Sequence, residues 1–158
     1  MDDVLKLMDQ VLKEEAALQF SEFTNQTAWE LGLMLVEKAH AEDKKITIDI
    51  SRSGQQLFHY ALAGTAPDND EWIRRKNRVV GRFFHSSFYM GLYYKSKETT
   101  IEKNSLVSEM EYAPHGGAFP ITIANVGIVG TITVSGLPQR EDHEFVVAVL
   151  KEFLSCEI

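Results

Sequence analysis

The 158-residue chain is 44% hydrophobic and 25% charged, which suits one ordinary globular domain covering 1–158 and makes a second domain unexpected. Its 23 acidic against 16 basic side chains leave a net charge of -7, which argues against general affinity for nucleic-acid phosphates. A single cysteine, Cys156, excludes an intrachain disulfide or thiolate cluster; with an acidic start, Met1-Asp2-Asp3, and no apolar run long enough to span a bilayer, a cytoplasmic protein is expected.

Val4, Leu5, Leu7, Met8, Val11, Leu12 and Leu18 recur at helical intervals among acids and lysines, so residues 1–18 read as an amphipathic N-terminal helix. From Thr24 to Lys44, Trp29, Leu31, Leu33, Met34, Leu35 and Val36 crowd a second helix capped by Thr24 or Asn25, the best candidate for packing on a sheet. Ile46 to Ile50 alternates strictly, and Gln56 to Leu62 sets Phe58, Tyr60 and Leu62 against Leu57, His59 and Ala61. With Arg52-Ser53-Gly54-Gln55 between them, these segments predict a hairpin.

Asp68 is expected to cap a helix, with Glu71 in the capping-box position, running to Phe83 or Phe84. The segment His85 to Lys97 fits neither the helical nor the strand period cleanly, and helix is the favoured reading. Glu98 to Glu111 reads as an irregular connection. Ile121 to Ala124 and Ile128 to Val134 then predict paired strands around Asn125-Val126-Gly127. Glu141 to Leu154 closes the chain as a helix carrying Phe145, Val146, Val149, Leu150 and Phe153, with Asp142 near its positive end. The order describes an α+β domain built on an antiparallel sheet. Apolar residues on both faces of the second hairpin suggest that another subunit covers one of them.

The run His115-Gly116-Gly117-Ala118-Phe119-Pro120, with Ser135-Gly136 beyond the hairpin, is the strongest functional signal. Two glycines can adopt positive φ and expose amides, which lets a loop bring backbone donors and an imidazole to a ligand. The same glycines also serve in a plain turn.

The ordered segments Gly54-Gln55-Gln56-Leu57-Phe58, Pro67-Asp68-Asn69-Asp70, Trp72 with Arg75-Lys76, His115 to Pro120, Gly130 to Pro138 and Asp142-His143 closely resemble uncharacterised protein family 0303. That family sits within the haem-degrading, HbpS-like and GlcG-like group, and the resemblance covers nearly everything after the first helix. It implies a profilin-like α/β/α domain, with helices flanking a central antiparallel sheet, assembled as a dimer or larger homo-oligomer. It also implies a link to haem or corrinoid binding, or to redox sensing.

The expected ligand-binding residues are His115, Gly116, Gly117, Phe119, Ser135, Gly136 and Arg75. His115 has the chemistry of a haem-iron ligand or of an anion donor, and equally of a polar loop residue. No haem-attachment signature is present, so a haem would be held noncovalently. His59 is expected to pack or lie at an interface, His40 to face solvent, and His85 and His143 show no metal-ligand spacing. Arg74, Arg78 and Arg82 recur every four residues beside Arg75 and Lys76, a basic face suited to propionates, phosphates or an acidic neighbour, or simply a salt-bridged surface. Ser135 and Asp142 lack a nucleophile elbow, which sets aside a serine hydrolase. Cys156 reads as a spectator thiol.

Three functions follow from these residues and the resemblance. The favoured one is an oligomeric cytosolic binding or sensing protein that takes a small anionic or tetrapyrrole ligand at the histidine loop. The others are a haem-degrading enzyme and an assembly scaffold without catalysis.

Overall fold

Strands that alternate apolar and polar side chains give a sheet two unlike faces. The structure, a computed structural model, describes residues 1–157. It contains α1 (Asp2–Ala17), α2 (Asn25–Ala41), β1 (Thr47–Arg52), β2 (Gln55–Ala61), α3 (Pro67–Phe83) and α4 (Ser87–Ser96). These are followed by α5 (Ile101–Ser105), β3 (Ala118–Ile123), β4 (Gly127–Ser135) and α6 (Gln139–Phe153). The four strands form one antiparallel sheet in the order β2-β1-β4-β3. This is the expected α+β architecture, with helices on both faces.

Ile48 and Ile50 of β1 lie opposite Val134 and Ile132 of β4, and Phe119 of β3 lies opposite Ile132. This apolar row is buried beneath α2 and α6, where Leu31, Leu35, Val146, Val149 and Leu150 complete the main core. The alternate positions, Thr47, Asp49, Thr131, Thr133 and Ser135, are buried as well, under α3. Their layer is polar and largely paired. Asp49 accepts from Ser51 Oγ at 2.9 Å, Gln56 Nε2 at 2.7 Å and Asn77 Nδ2 at 3.3 Å, while the Thr133 hydroxyl donates to Asn77 Oδ1. Beside α3, α4 carries α1 through a cluster of Val11, Phe88 and Leu92. Two histidine–glutamate contacts also fasten α1: His143 Nε2 to Glu14 Oε1 and His85 Nδ1 to Glu15 Oε1, each 2.8 Å.

Local sequence chemistry explains most element boundaries. Thr24 caps α2 through its hydroxyl, which accepts from the Thr27 amide at 3.2 Å. Ser86 does the same for α4, which makes the ambiguous segment after His85 helical. Asp68 is not the cap of α3, nor does Glu71 complete a capping box. The helix starts at Pro67, whose missing N–H suits the first position, and Asn69 Oδ1 accepts from the Ala66 amide at 3.0 Å. The connection expected to be irregular contains α5, capped by Thr100.

β3 begins three residues before the expected Ile121, because Ala118, Phe119 and Pro120 pair with Thr133, Ile132 and Thr131. Proline is tolerated there because β3 is an edge strand. The second hairpin is covered in part by the chain's own helices, while Ile128 stays half-buried and Val126 and the neighbouring Phe84 stay exposed. A register shift between Ile121 and Thr122 puts Ile123 and Val129 against the core, and helices pack on both faces of the sheet.

Burial sets the expected mutational contrast. Ile132→Ala in the centre of the sheet costs about 2–5 kcal/mol, whereas Val126→Ala at the hairpin tip, where the residue is 71% exposed, changes stability by less than about 0.5 kcal/mol. Urea unfolding of both variants measures the difference.

Candidate functional site

Three segments distant in sequence meet at one end of the sheet: the first turns of α3, the turn before β3, and the junction of β4 with α6. The glycine pair is what lets them close. Gly117 has a φ of 138° and sits where a Cβ would lie 2.6 Å from Lys76 Nζ and 2.5 Å from the Val134 carbonyl oxygen. A Cβ on Gly116 would overlap the Gln139 carbonyl. Both glycines are buried, and their polar groups serve the chain itself. The Gly116 amide donates to Gln139 Oε1 at 3.0 Å, and the Gly117 carbonyl accepts from the Val134 amide at 3.1 Å.

The side chain for which Gly117 makes room is a buried lysine. Lys76 is 3% exposed and donates to the Val134 carbonyl at 3.1 Å and to Asp142 Oδ2 at 3.2 Å. Asp142, 2% exposed, uses its other oxygen to accept from the Leu137 amide at 3.1 Å. Burial pushes the lysine amine below its ordinary range, against the pull of Asp142. Burial likewise pushes the Asp142 carboxyl up to about 6, against Lys76 and the amides of Leu137 and Gly136. Both shifts favour the uncharged form of the pair.

In front of this pair stands an aromatic pillar. The His115 ring meets the Trp72 indole edge-on at 5.4 Å, and the Arg75 guanidinium lies over that indole at 4.2 Å. Arg75 is also held by the Glu109 carbonyl at 3.0 Å. Partial burial against its neighbours lowers the His115 pKa, and the positive charges of Lys76 and Arg75 lower it further. Its imidazole is therefore biased toward the neutral form, which can donate from one nitrogen and accept or ligate with the other.

Two clefts share Trp72, His115 and Gln139 in their walls. The smaller, about 290 Å³, is lined by Lys76, Asp142, Ser135, Asn69 and Asp68, with Gly136 and Leu137 at its edge. The larger, about 680 Å³, has apolar walls from Leu7, Phe88, Leu92 and Ile101 and cations from Arg75, Lys95 and Arg140. A third cleft of about 400 Å³, near Gly81 and Phe84, contains none of the expected site residues.

Of those residues, His115, Ser135 and Gly136 meet in the smaller cleft, and Arg75 joins His115 in the larger. Gly116 and Gly117 lie behind the wall rather than on it. Phe119 belongs to the main core, at 1% exposure. Lys76, expected on a basic helix face but buried at 3% exposure, Asp142, expected only as a charge at the start of the last helix, and Gln139 are contributors outside the expected site residues. Their signal was a charge in an apolar stripe: Lys76 stands three residues from both Ile73 and Val79, and Asp142 three before Phe145.

Several other histidines and arginines are engaged elsewhere. His59 pairs with Asp70 at 2.6 Å on the exposed side of β2. Arg74 bridges Glu71 and Glu111, and Arg82 lies over the Tyr112 ring. Among the described residues, no group of three or more His, Cys, Asp or Glu side chains is placed to hold a metal ion, and no helix is long and apolar enough to cross a membrane.

Residues 23–151 match the family model described as haem degrading protein HbpS-like. A UPF0303 protein of Streptomyces coelicolor is 52% identical over 142 residues, 90% of each chain. The crystal structure of the Ybr137w protein superposes with a TM-score of 0.87 at 37% identity, covering 94% of this chain and 87% of that one. The crystal structure of a PduOC:haem complex shares the fold at a TM-score of 0.66 and 12% identity, covering 80% of this chain and 94% of its own.

Gly117→Ala combines a disfavoured backbone conformation with overpacking against Lys76, and is expected to destabilise the protein by about 2 kcal/mol or more in urea unfolding. Asp142 supplies a pH signature. Its folded pKa is raised from an ordinary 3.8 to about 6, so its contribution is full below 3.8 and is lost as pH rises through about 6. Measured by urea unfolding between pH 4 and 6, the wild type is therefore expected to lose stability relative to Asp142→Asn as pH rises.

Proposed function

The chain belongs to the HbpS-like family of haem degrading proteins, in the branch of UPF0303 proteins, and from that membership we propose a cytosolic, oligomeric protein that binds or senses a tetrapyrrole or similar flat anionic ligand. The observation that carries this reading is the pillar of His115, Trp72 and Arg75 at the wall of the larger cleft. It joins one imidazole, one aromatic face and a fixed cation over a space of about 680 Å³, within the range of ordinary small-molecule pockets.

The residues present fit a haem. Apolar walls from Leu7, Phe88, Leu92 and Ile101 suit a macrocycle, and Arg75, Lys95 and Arg140, the last already paired with Glu144 at 2.7 Å, are the cations that would meet its propionates. His115 is the residue that would offer a nitrogen to the haem iron, and its lowered pKa favours the neutral ring that such a donor requires. When bound, the haem iron would supply the redox and oxygen chemistry. This chain's residues would bind and orient the ring, anchor its carboxylates and shield one face from water. Binding is favoured over degradation because the larger cleft contains no buried acid–base pair; the one near it, Lys76 with Asp142, lines the smaller cleft.

Haemin titration of the purified, size-defined protein, followed by absorbance, tests this reading. Saturable binding of one haem per site is expected, with the Soret shift lost in His115→Ala and affinity weakened about tenfold in Arg75→Ala, as for loss of one charge-assisted contact. Absence of saturable binding to the wild type would overturn it. Spectral decay of bound haem under reductant and oxygen would replace binding with degradation.

A further inference from the structure

Lys76 and Asp142 take no part in the tetrapyrrole reading, yet both line the smaller cleft. A buried ion pair is seldom the most stable way to fill an interior, since apolar residues of similar volume often do as well or better. What distinguishes this pair is its setting. The amine and carboxylate are 3.2 Å apart and bound a space of about 290 Å³ that also contains the Ser135 hydroxyl and the His115 ring. Asn69 Nδ2 donates to Ser135 Oγ at 3.3 Å, a bond that does not use the hydroxyl's own hydrogen. Two acids, Asp68 and Asp142, face one lysine there, so the cleft's charge favours an uncharged guest over an anionic one.

We propose that Lys76 is the nucleophile of a second site, in the smaller cleft, which captures a small uncharged aldehyde or ketone as an imine. The Lys76 ammonium passes a proton to the Asp142 carboxylate, which frees the nitrogen lone pair. The amine forms a bond to the carbonyl carbon, the C=O π pair moves to oxygen, and that oxygen takes the proton from Asp142. The nitrogen, now carrying two hydrogens and a positive charge, returns one proton to Asp142. The carbinolamine hydroxyl then leaves with that proton as water while the nitrogen lone pair forms the C=N bond. The balance is carbonyl compound plus Lys76 ammonium giving protonated imine plus water, with Asp142 again a carboxylate. Ser135 steadies the carbonyl oxygen as charge develops on it. The lowered basicity of Lys76 and raised basicity of Asp142 suit this exchange, since the lysine gives up its proton more readily and the carboxylate takes one more readily than either would in water.

The test uses propionaldehyde at limiting concentration with sodium cyanoborohydride at pH 7, where exposed lysines are almost wholly protonated, and follows propyl incorporation by peptide mass mapping. No haem is present, so its outcome is separate from that of the haemin titration. Lys76 is expected to be labelled at least tenfold faster than the exposed Lys13, Lys45 and Lys103. Ser135→Ala, checked for folding by circular dichroism, is expected to slow labelling of Lys76 several-fold while those three keep their rates. A lysine serving only to pin the fold gives the reverse order. Labelling of Lys76 last, or not at all, overturns the proposal whatever the variant does.

Discussion

The polar face of the sheet is covered, and the remainder of the structure accommodates that fact. Thr47, Asp49, Thr131, Thr133 and Ser135 are all buried beneath α3, and buried polar groups without partners are costly. α3 therefore has to present polar atoms on the side where a helix would ordinarily be apolar. Asn69, Lys76 and Asn77 do so, reaching Ser135, the Val134 carbonyl and the Asp49–Thr133 pair. Once a lysine enters this layer it needs an acid, and Asp142 comes from α6 across the end of the sheet. The clefts open where this pairing layer runs out, at the ends of β4 and α3.

The glycine pair takes its meaning from the same constraint. A sequence reader sees two adjacent glycines and infers exposed amides. In the structure the amide of Gly116 is already used, and Gly117 provides room for an ammonium group that could not otherwise reach the Val134 carbonyl. The turn is permissive because of what lies beneath it. Its exposed part is His115, which the glycines set against Trp72.

Much of the fold could be read from periodicity and caps. The alternation of Ile46 to Ile50 and the helical spacing in α1, α2 and α6 each point to the right element, and Thr24 and the Asn125-Val126-Gly127 turn mark true boundaries. Errors arose where tertiary pairing overrode local pattern. Residues 118–120 look like a loop until β4 pairs with them, and the register shift in the hairpin exchanges faces in a way alternation does not show. The site was half legible. His115, Ser135, Gly136 and Arg75 do reach the clefts, but the Lys76–Asp142 pair joins residues 66 apart on two helices. Nothing local announces such a pair except that each member interrupts an apolar stripe.

The strand order β2-β1-β4-β3 also bears on how the protein is assembled. Both hairpins are local and can form early, but the central seam joins β1 to β4, with Ile48 meeting Val134, across most of the chain. Closing so long a loop is the slow kind of event in folding. Both clefts draw their walls from segments on either side of that late step, from α3 through the turn at His115 to the start of α6. The surface lining the two clefts is thus absent from any chain that has formed only its hairpins, and a ligand held there would stabilise the fully closed sheet alone, by an amount that grows with the logarithm of its concentration.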